Sequence, residues 1–166
     1  MARGELADGI EATGAWSGHD GGPSFRRILV PVDAFGRSSG ALALATRLCL
    51  ADAGKLRIVH VRVFDPPVKG TGRFYPESSE DATAVLERAA AGAWARGAKA
   101  SGVVVDCQRG LVAQAISDAG QDFNAELIVL ARRSRLAISR LLLGSIADQV
   151  MRRATCPVLV VRPGQQ

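Results

Sequence analysis

From Phe25 onward, short apolar runs alternate with stretches in which apolar residues recur every three or four positions, the pattern of strands separated by amphipathic helices. Arg27 to Asp33 carries Ile28, Leu29, Val30 and Val32 and predicts a first strand, with Pro31 as a break near its end. Ser38 or Ser39 is placed to cap a helix running to about Ala53, with Leu42, Ala45, Leu48 and Cys49 on one face and Gly54 as its stop. Lys55 to Phe64 predicts the second strand, and Pro66, Pro67, Gly70 and Gly72 mark Asp65 to Tyr75 as a loop long enough to cover a site. An alanine-rich helix follows over Ser79 to about Arg96, with Glu80 and Asp81 in its first turn, where carboxylates favour the helix dipole. Gly102 to Cys107 predicts strand three, Leu111 to about Ala119 helix three, and Leu127 to Leu130 a buried fourth strand. Ile146, Ala147, Val150 and Met151 then draw one apolar stripe along a short helix beginning at Gly144-Ser145, with Asp148, Arg152 and Arg153 outside it. Pro157 opens the fifth strand, which runs to Val161.

Strict alternation of this kind argues for an α/β domain: a doubly wound open sheet of five parallel strands with helices on both faces, joined by right-handed crossovers. Residues 24–163 form that domain. Residues 1–23 are rich in Gly, Ala and Asp, lack periodicity and read as a flexible tail, in which Trp16 is the one residue suited to docking. No apolar run approaches the ~20 residues of a membrane span, and nothing resembles a signal peptide, so a soluble cytoplasmic protein without membrane contact is expected. Cys49, Cys107 and Cys156 are odd in number, sit in apolar contexts and form no C-x-x-C pair; they read as reduced core thiols rather than a disulfide or metal site.

Charge changes this picture in one place. The net +5 divides into −3 over residues 1–23 and +8 over the remainder, and seven arginines with the single acid Asp148 fall between Ala131 and Arg162. Such a patch attracts phosphates of any kind, or simply forms a solvated basic face. Aromatic residues make up only 5% of the chain and do not interleave with the basic ones, so nucleic acid is not the expected partner. Gly144-Ser145, at a helix N-terminus, is the sharper signal, because free N–H groups and the positive dipole end meet a residue that lets a phosphate approach the backbone.

The run Arg140-Leu141-Leu142-Leu143-Gly144-Ser145 and the closing Thr155-Cys156-Pro157-Val158-Leu159-Val160-Val161 resemble the signature segment of the universal stress protein family. Nucleotide-binding members of that family carry G-x2-G-x9-G-[ST] here, and this chain departs from it at two positions, with Ala131 and Ser134 in place of the first two glycines. The resemblance implies a strand order 3-2-1-4-5, as in the adenine-nucleotide alpha-hydrolase-like fold, and an ATP site, with Mg²⁺, at the switch point between strands one and four. It implies that Asp33 stands beside the ribose and, through the metal, near phosphates, that Val32 and Val61 contact adenine with backbone and apolar surface, and that Gly144 and Ser145 contact phosphate. Pro31, Ala131, Arg132, Ser134 and Ile146 complete the expected set. Each has a plainer alternative: Asp33 as a turn residue binding local N–H groups, Val32 and Val61 as core valines, and the arginines, including Arg133, Arg135 and Arg140, facing water. A methyl at Ala131 intrudes where bare backbone would lie; the Ser134 hydroxyl can donate to phosphate but is strained if φ is positive.

Catalytic groupings are absent from the sequence. His19 falls in the tail, His60 inside a strand as a satisfied core histidine, and no Ser-His-Asp set, paired carboxylates or metal-ligand spacing appears. Slow ATP hydrolysis near Asp33 is the most that is expected. Strand five, Pro157 to Val161, would be an edge, and homodimerisation through it is what both the bare edge and the resemblance imply, with Arg162 and Pro163 ending the pairing. The functional expectation is an ATP-binding cytoplasmic stress regulator or sensor; the alternative is a nucleotide-free dimeric protein-interaction module.

Overall fold

The computed structural model describes residues 24–67, 72–132 and 145–162. In chain order they form β1 (Arg27–Val32), α1 (Ser39–Ala51), β2 (Lys55–Phe64), α2 (Ser79–Trp94), β3 (Lys99–Gln108), α3 (Val112–Asp122), β4 (Leu127–Ala131), α4 (Ser145–Arg153) and β5 (Val158–Val161). The five strands make one parallel sheet in the order β3-β2-β1-β4-β5. Strand periodicity divides the core in two. Ile28, Val30, Val32, Leu56, Ile58, Leu127 and Val129 face α1 and α2, whereas Leu29, Val59, Ile128 and Leu130 face α3 and α4. β1 at the centre explains why its run is continuously apolar: Ile28, Leu29 and Val30 are fully buried.

Element ends depart from the sequence pattern for local reasons. α1 stops at Ala51, and the residue that takes the left-handed conformation is Ala53, at φ 48°, not Gly54. Gly54 is needed for another reason: a Cβ there would lie 2.7 Å from the Arg26 carbonyl oxygen, which accepts the Lys55 N–H at 2.7 Å as the β1–β2 ladder begins. β3 begins at Lys99, three residues before the apolar run, because pairing with β2 starts at Lys55↔Lys99 irrespective of side-chain polarity. α3 ends at Asp122 rather than Ala119, and α2 at Trp94 rather than Arg96. Met151, expected on the buried stripe of α4, is 39% exposed, while Ala147 and Val150 supply the buried contacts. α2 has a cap that the pattern did not single out: the Ser78 hydroxyl accepts the Asp81 N–H at 3.0 Å and donates to its carboxylate at 2.8 Å.

The two sheet edges differ. The Arg109 N–H donates to the Phe64 carbonyl, so odd positions of β3 face β2 and even ones face outward. Ala100 is an outward position, and its carbonyl accepts the Trp94 indole N–H at 3.0 Å. At the other edge β5 presents Leu159 at 38% exposure.

Replacing Gly54 by Ala forces the Arg26 backbone aside at the first rung of the central ladder and is expected to destabilise the domain by about 1–3 kcal/mol. Urea unfolding of Gly54→Ala beside the parent measures this, with Gly72→Ala, where a Cβ would meet nothing within 4 Å, as the neutral comparison.

Candidate functional site

β1 and β4 are neighbours whose chains leave in opposite directions, and they pair only at Ile28↔Leu127 and Leu29↔Ile128, whereas β1 pairs with β2 along its whole length. The cause lies in the sequence. Arg26 O accepts from β2 (Lys55 N–H) and Arg27 O from Glu126 on the β4 side, so even positions of β1 face β2 and odd positions face β4. Pro31 therefore lies within the strand, paired with Val59, and turns toward β4 a nitrogen that carries no hydrogen. The β1–β4 ladder accordingly ends before Pro31, which has no hydrogen to give it, while the β1–β2 ladder runs on. β1 and β4 thus form the switch point of the sheet, and the crevice outside the carboxyl ends of such strands is where ligands of open α/β folds bind.

The chain leaving β1 is held tightly. The Asp33 N–H donates to Ser38 Oγ at 3.1 Å, and Asp33 Oδ1 accepts the N–H groups of Phe35 (3.2 Å) and Arg37 (3.1 Å). Gly36, at φ 70°, makes the turn that brings these groups back. Ser38 thus flanks α1 as expected but makes no side-chain cap bond; its hydroxyl serves Asp33 instead. The plainer reading of Asp33, as a turn residue, is correct for Oδ1, while Oδ2 takes no hydrogen bond from the described residues and the side chain remains half-buried at the crevice.

The remaining expected positions divide between the two faces. Ala131 ends β4, paired with Val161, and its methyl packs against the α1-side core. Its φ is not positive, so this departure from glycine introduces no backbone strain. Arg132 follows, its N–H donating to the Val161 carbonyl at 2.7 Å. Val32 is buried on the α1 side, whereas Val61 and Ile146 are partly buried on the α3–α4 side. Val32 and Val61 accordingly cannot offer side chains to one base from the same face. Ser145 is the first residue of α4. Ser134 and Gly144, with Arg133, Arg135 and Arg140, lie outside the described residues, as do the tail and Pro163.

One functional-end residue was missed as more than core. His60 is 4% exposed, with Nδ1 3.0 Å from the Val32 carbonyl oxygen and Nε2 2.8 Å from Glu77 Oε2. The core-histidine expectation is right about satisfaction, but a period-2 pattern could not disclose a partner seventeen residues away. Farther along the same end, Arg62 meets the Asp106 carboxylate with two bonds of 2.7 Å and stacks on Tyr75, 4.3 Å from its ring centroid. Arg109 pairs in the same two-bonded way with Asp65, which also bridges to Phe74, so the β2–α2 connection is tied to β3 rather than free. The Arg62 hydrogen bonds hold the Asp106 carboxyl below the usual carboxylate range, and those of Arg109 do the same for Asp65.

Among the described residues, the groups named above do not assemble a catalytic centre. Burial pushes the thiols of Cys49, Cys107 and Cys156 up, the reverse of an activated nucleophile, and all three are free. Among the described residues no group of three or more His, Cys, Asp or Glu could hold a metal ion, and no helix is long and apolar enough to cross a membrane.

Comparison with known proteins agrees with this architecture. Residues 24–162 match the model of the universal stress protein family. The chain belongs to that family. Relatives include the universal stress protein in the QAH/OAS sulfhydrylase 3′ region of Thermus aquaticus, 31% identical over 140 residues, covering 83% of this chain and 99% of that one. Universal stress protein YxiE of Bacillus subtilis is 26% identical over 150 residues, with the same two coverages. Among solved structures, a universal stress protein in complex with cAMP superposes with TM-score 0.64 at 24% identity, covering 85% of this chain and 99% of that one. The universal stress protein of Archaeoglobus fulgidus in complex with dAMP gives TM-score 0.63 at 22% identity, with coverages of 82% and 98%. This universal stress protein domain thus has the five-stranded 3-2-1-4-5 sheet of the adenine-nucleotide alpha-hydrolase-like fold.

Two outcomes follow from the side-chain geometry. Asp33→Ala removes the acceptor of two turn N–H groups and should cost about 1 kcal/mol in urea unfolding, whereas Asp33→Asn, which keeps that oxygen, should change stability by less than about 0.5 kcal/mol. Because Asp106 is depressed in the folded state, its contribution is present above the unfolded carboxylate value of about 3.9 and is lost as pH falls through the lower folded value. Unfolding measured from pH 5 downward should show this loss, and Arg62→Met should flatten it.

Proposed function

We propose that this universal stress protein binds an adenine nucleotide, ATP with Mg²⁺, in the crevice between β1 and β4 and acts as a cytoplasmic stress-linked regulator or sensor. The observation that carries this reading is the clamped Asp33 carboxylate at the carboxyl end of β1, beside β4 at the switch point of the sheet. The relatives solved with cAMP and dAMP support an adenine ligand.

The chain's own groups suit such a ligand. Asp33 Oδ1 is committed to the turn, which fixes the carboxylate and leaves Oδ2 to accept from ribose hydroxyls. The first turn of α4 offers backbone N–H groups to phosphate, with Ser145 at its start. The methyl of Ala131, drawn into the α1-side core, leaves that strand end regular. Mg²⁺, when bound, neutralises part of the phosphate charge; with one carboxylate at the crevice mouth, the phosphates themselves would supply most of its ligands. No residue is assigned a catalytic role.

The interaction-module reading is favoured by one feature, the edge of β5 with Leu159 exposed, through which two copies would pair as a homodimer. It is compatible with a bound nucleotide and becomes the sole reading if none binds.

Calorimetric titration of nucleotide-stripped protein with ATP and Mg²⁺ tests the proposal. Saturable binding in the micromolar range, weakened about tenfold or more in Asp33→Asn through loss of charge-assisted hydrogen bonding, is the expected result. An absence of heat at millimolar ATP would overturn it.

A further inference from the structure

The imidazole of His60 lies between the mouth of the crevice and the start of α2. Its side chain is only 5% exposed, and both of its nitrogens meet acceptor oxygens, the Val32 carbonyl at 3.0 Å and the Glu77 carboxylate at 2.8 Å. A carbonyl oxygen can only accept, so Nδ1 is the donor to Val32, and the Glu77 contact at Nε2 fixes the plane of the ring. Glu77 is in turn anchored, because Ser78, the next residue, caps α2 through the Asp81 N–H.

The Val32–Asp33 peptide is therefore gripped at both ends. His60 holds its carbonyl from the α2 side, and the Ser38 hydroxyl accepts its N–H from the α1 side, at 3.1 Å. The same peptide carries Asp33, whose Oδ1 closes the turn onto Phe35 and Arg37. Rotating it would re-aim the carboxylate. An imidazole carried by β2 and a hydroxyl at the start of α1 thus determine one side-chain direction.

We infer that His60 and Glu77 are positioning residues of the crevice: Glu77 orients the His60 ring, which fixes the Val32–Asp33 peptide so that the Asp33 carboxylate faces the sugar of the bound nucleotide. This rests on the nucleotide reading above for its functional consequence, but its structural half stands without a ligand. It also makes the start of α2 part of the binding apparatus, although Glu77 itself need not touch the ligand.

The test has two arms. In the first, ATP and inorganic tripolyphosphate are titrated into the parent protein, His60→Leu, His60→Asn and Glu77→Ala. His60→Leu and Glu77→Ala are expected to weaken ATP about tenfold while leaving tripolyphosphate unchanged, and His60→Asn, which keeps a donor near the Nδ1 position, to recover most of the loss. Equal weakening of both ligands, or no effect on ATP, overturns the inference. The second arm measures amide exchange of Asp33, Phe35 and Arg37 by NMR in ligand-free protein at matched stability. Faster exchange of those three amides in Glu77→Ala supports the chain from Glu77 to Asp33, and a change confined to residues near the start of α2 overturns it. If the parent binds no ATP, the nucleotide reading fails by itself, and the exchange arm still decides whether the two residues position Asp33.

Discussion

The structure turns on one hydrogen that is missing. β1 is the central strand, buried on both faces, and every other residue along it could continue the ladder on either side. Pro31 presents a nitrogen without a donor to β4, and the hydrogen-bonded pairing of the two strands whose chains leave in opposite directions ends there. With that donor, backbone pairing would run on toward the carboxyl end of the sheet. As it is, the last stretch of β1 is bonded to β2 alone while the core stays continuous on both faces. The groups at that end are fixed by short-range bonds: the Asp33 turn on α1, His60 and Glu77 from β2 and the start of α2.

Much of this was legible in the sequence, because burial sets the pattern. Strands buried on both faces must be apolar at consecutive positions, so β1 and β4 announced themselves, and helices covering a sheet must show a stripe. The limits were equally physical. The pattern reports burial rather than pairing, so the polar start of β3 at Lys99 was invisible and Met151 looked like core. Gly54 was read as a helix stop, yet its demand comes from the Arg26 carbonyl of another element.

The candidate site was legible where it lay in the local chain and opaque where it depended on the third dimension. Asp33 and Pro31 were marked by position, but only the alternation of hydrogen-bonding directions shows what Pro31 does. Val32 and Val61 both read as base contacts, and the sheet places their side chains on opposite faces. His60 read correctly as satisfied, while its partner Glu77 follows a loop whose course no periodicity encodes. Ala131 ends β4 without a positive φ and with its methyl packed on the core, so this strand end does not draw on glycine's backbone freedom.

The Trp94 indole bonded to the outward carbonyl of Ala100 has a consequence for assembly rather than for the site. It occupies an acceptor that an added strand would need on the β3 side, while β5 on the opposite side carries no such guard among the described residues. A sheet with two receptive edges can add copies head to tail without end. A guarded acceptor makes one edge less receptive and so disfavours such addition, and an indole some distance from any ligand thereby works against fibre formation.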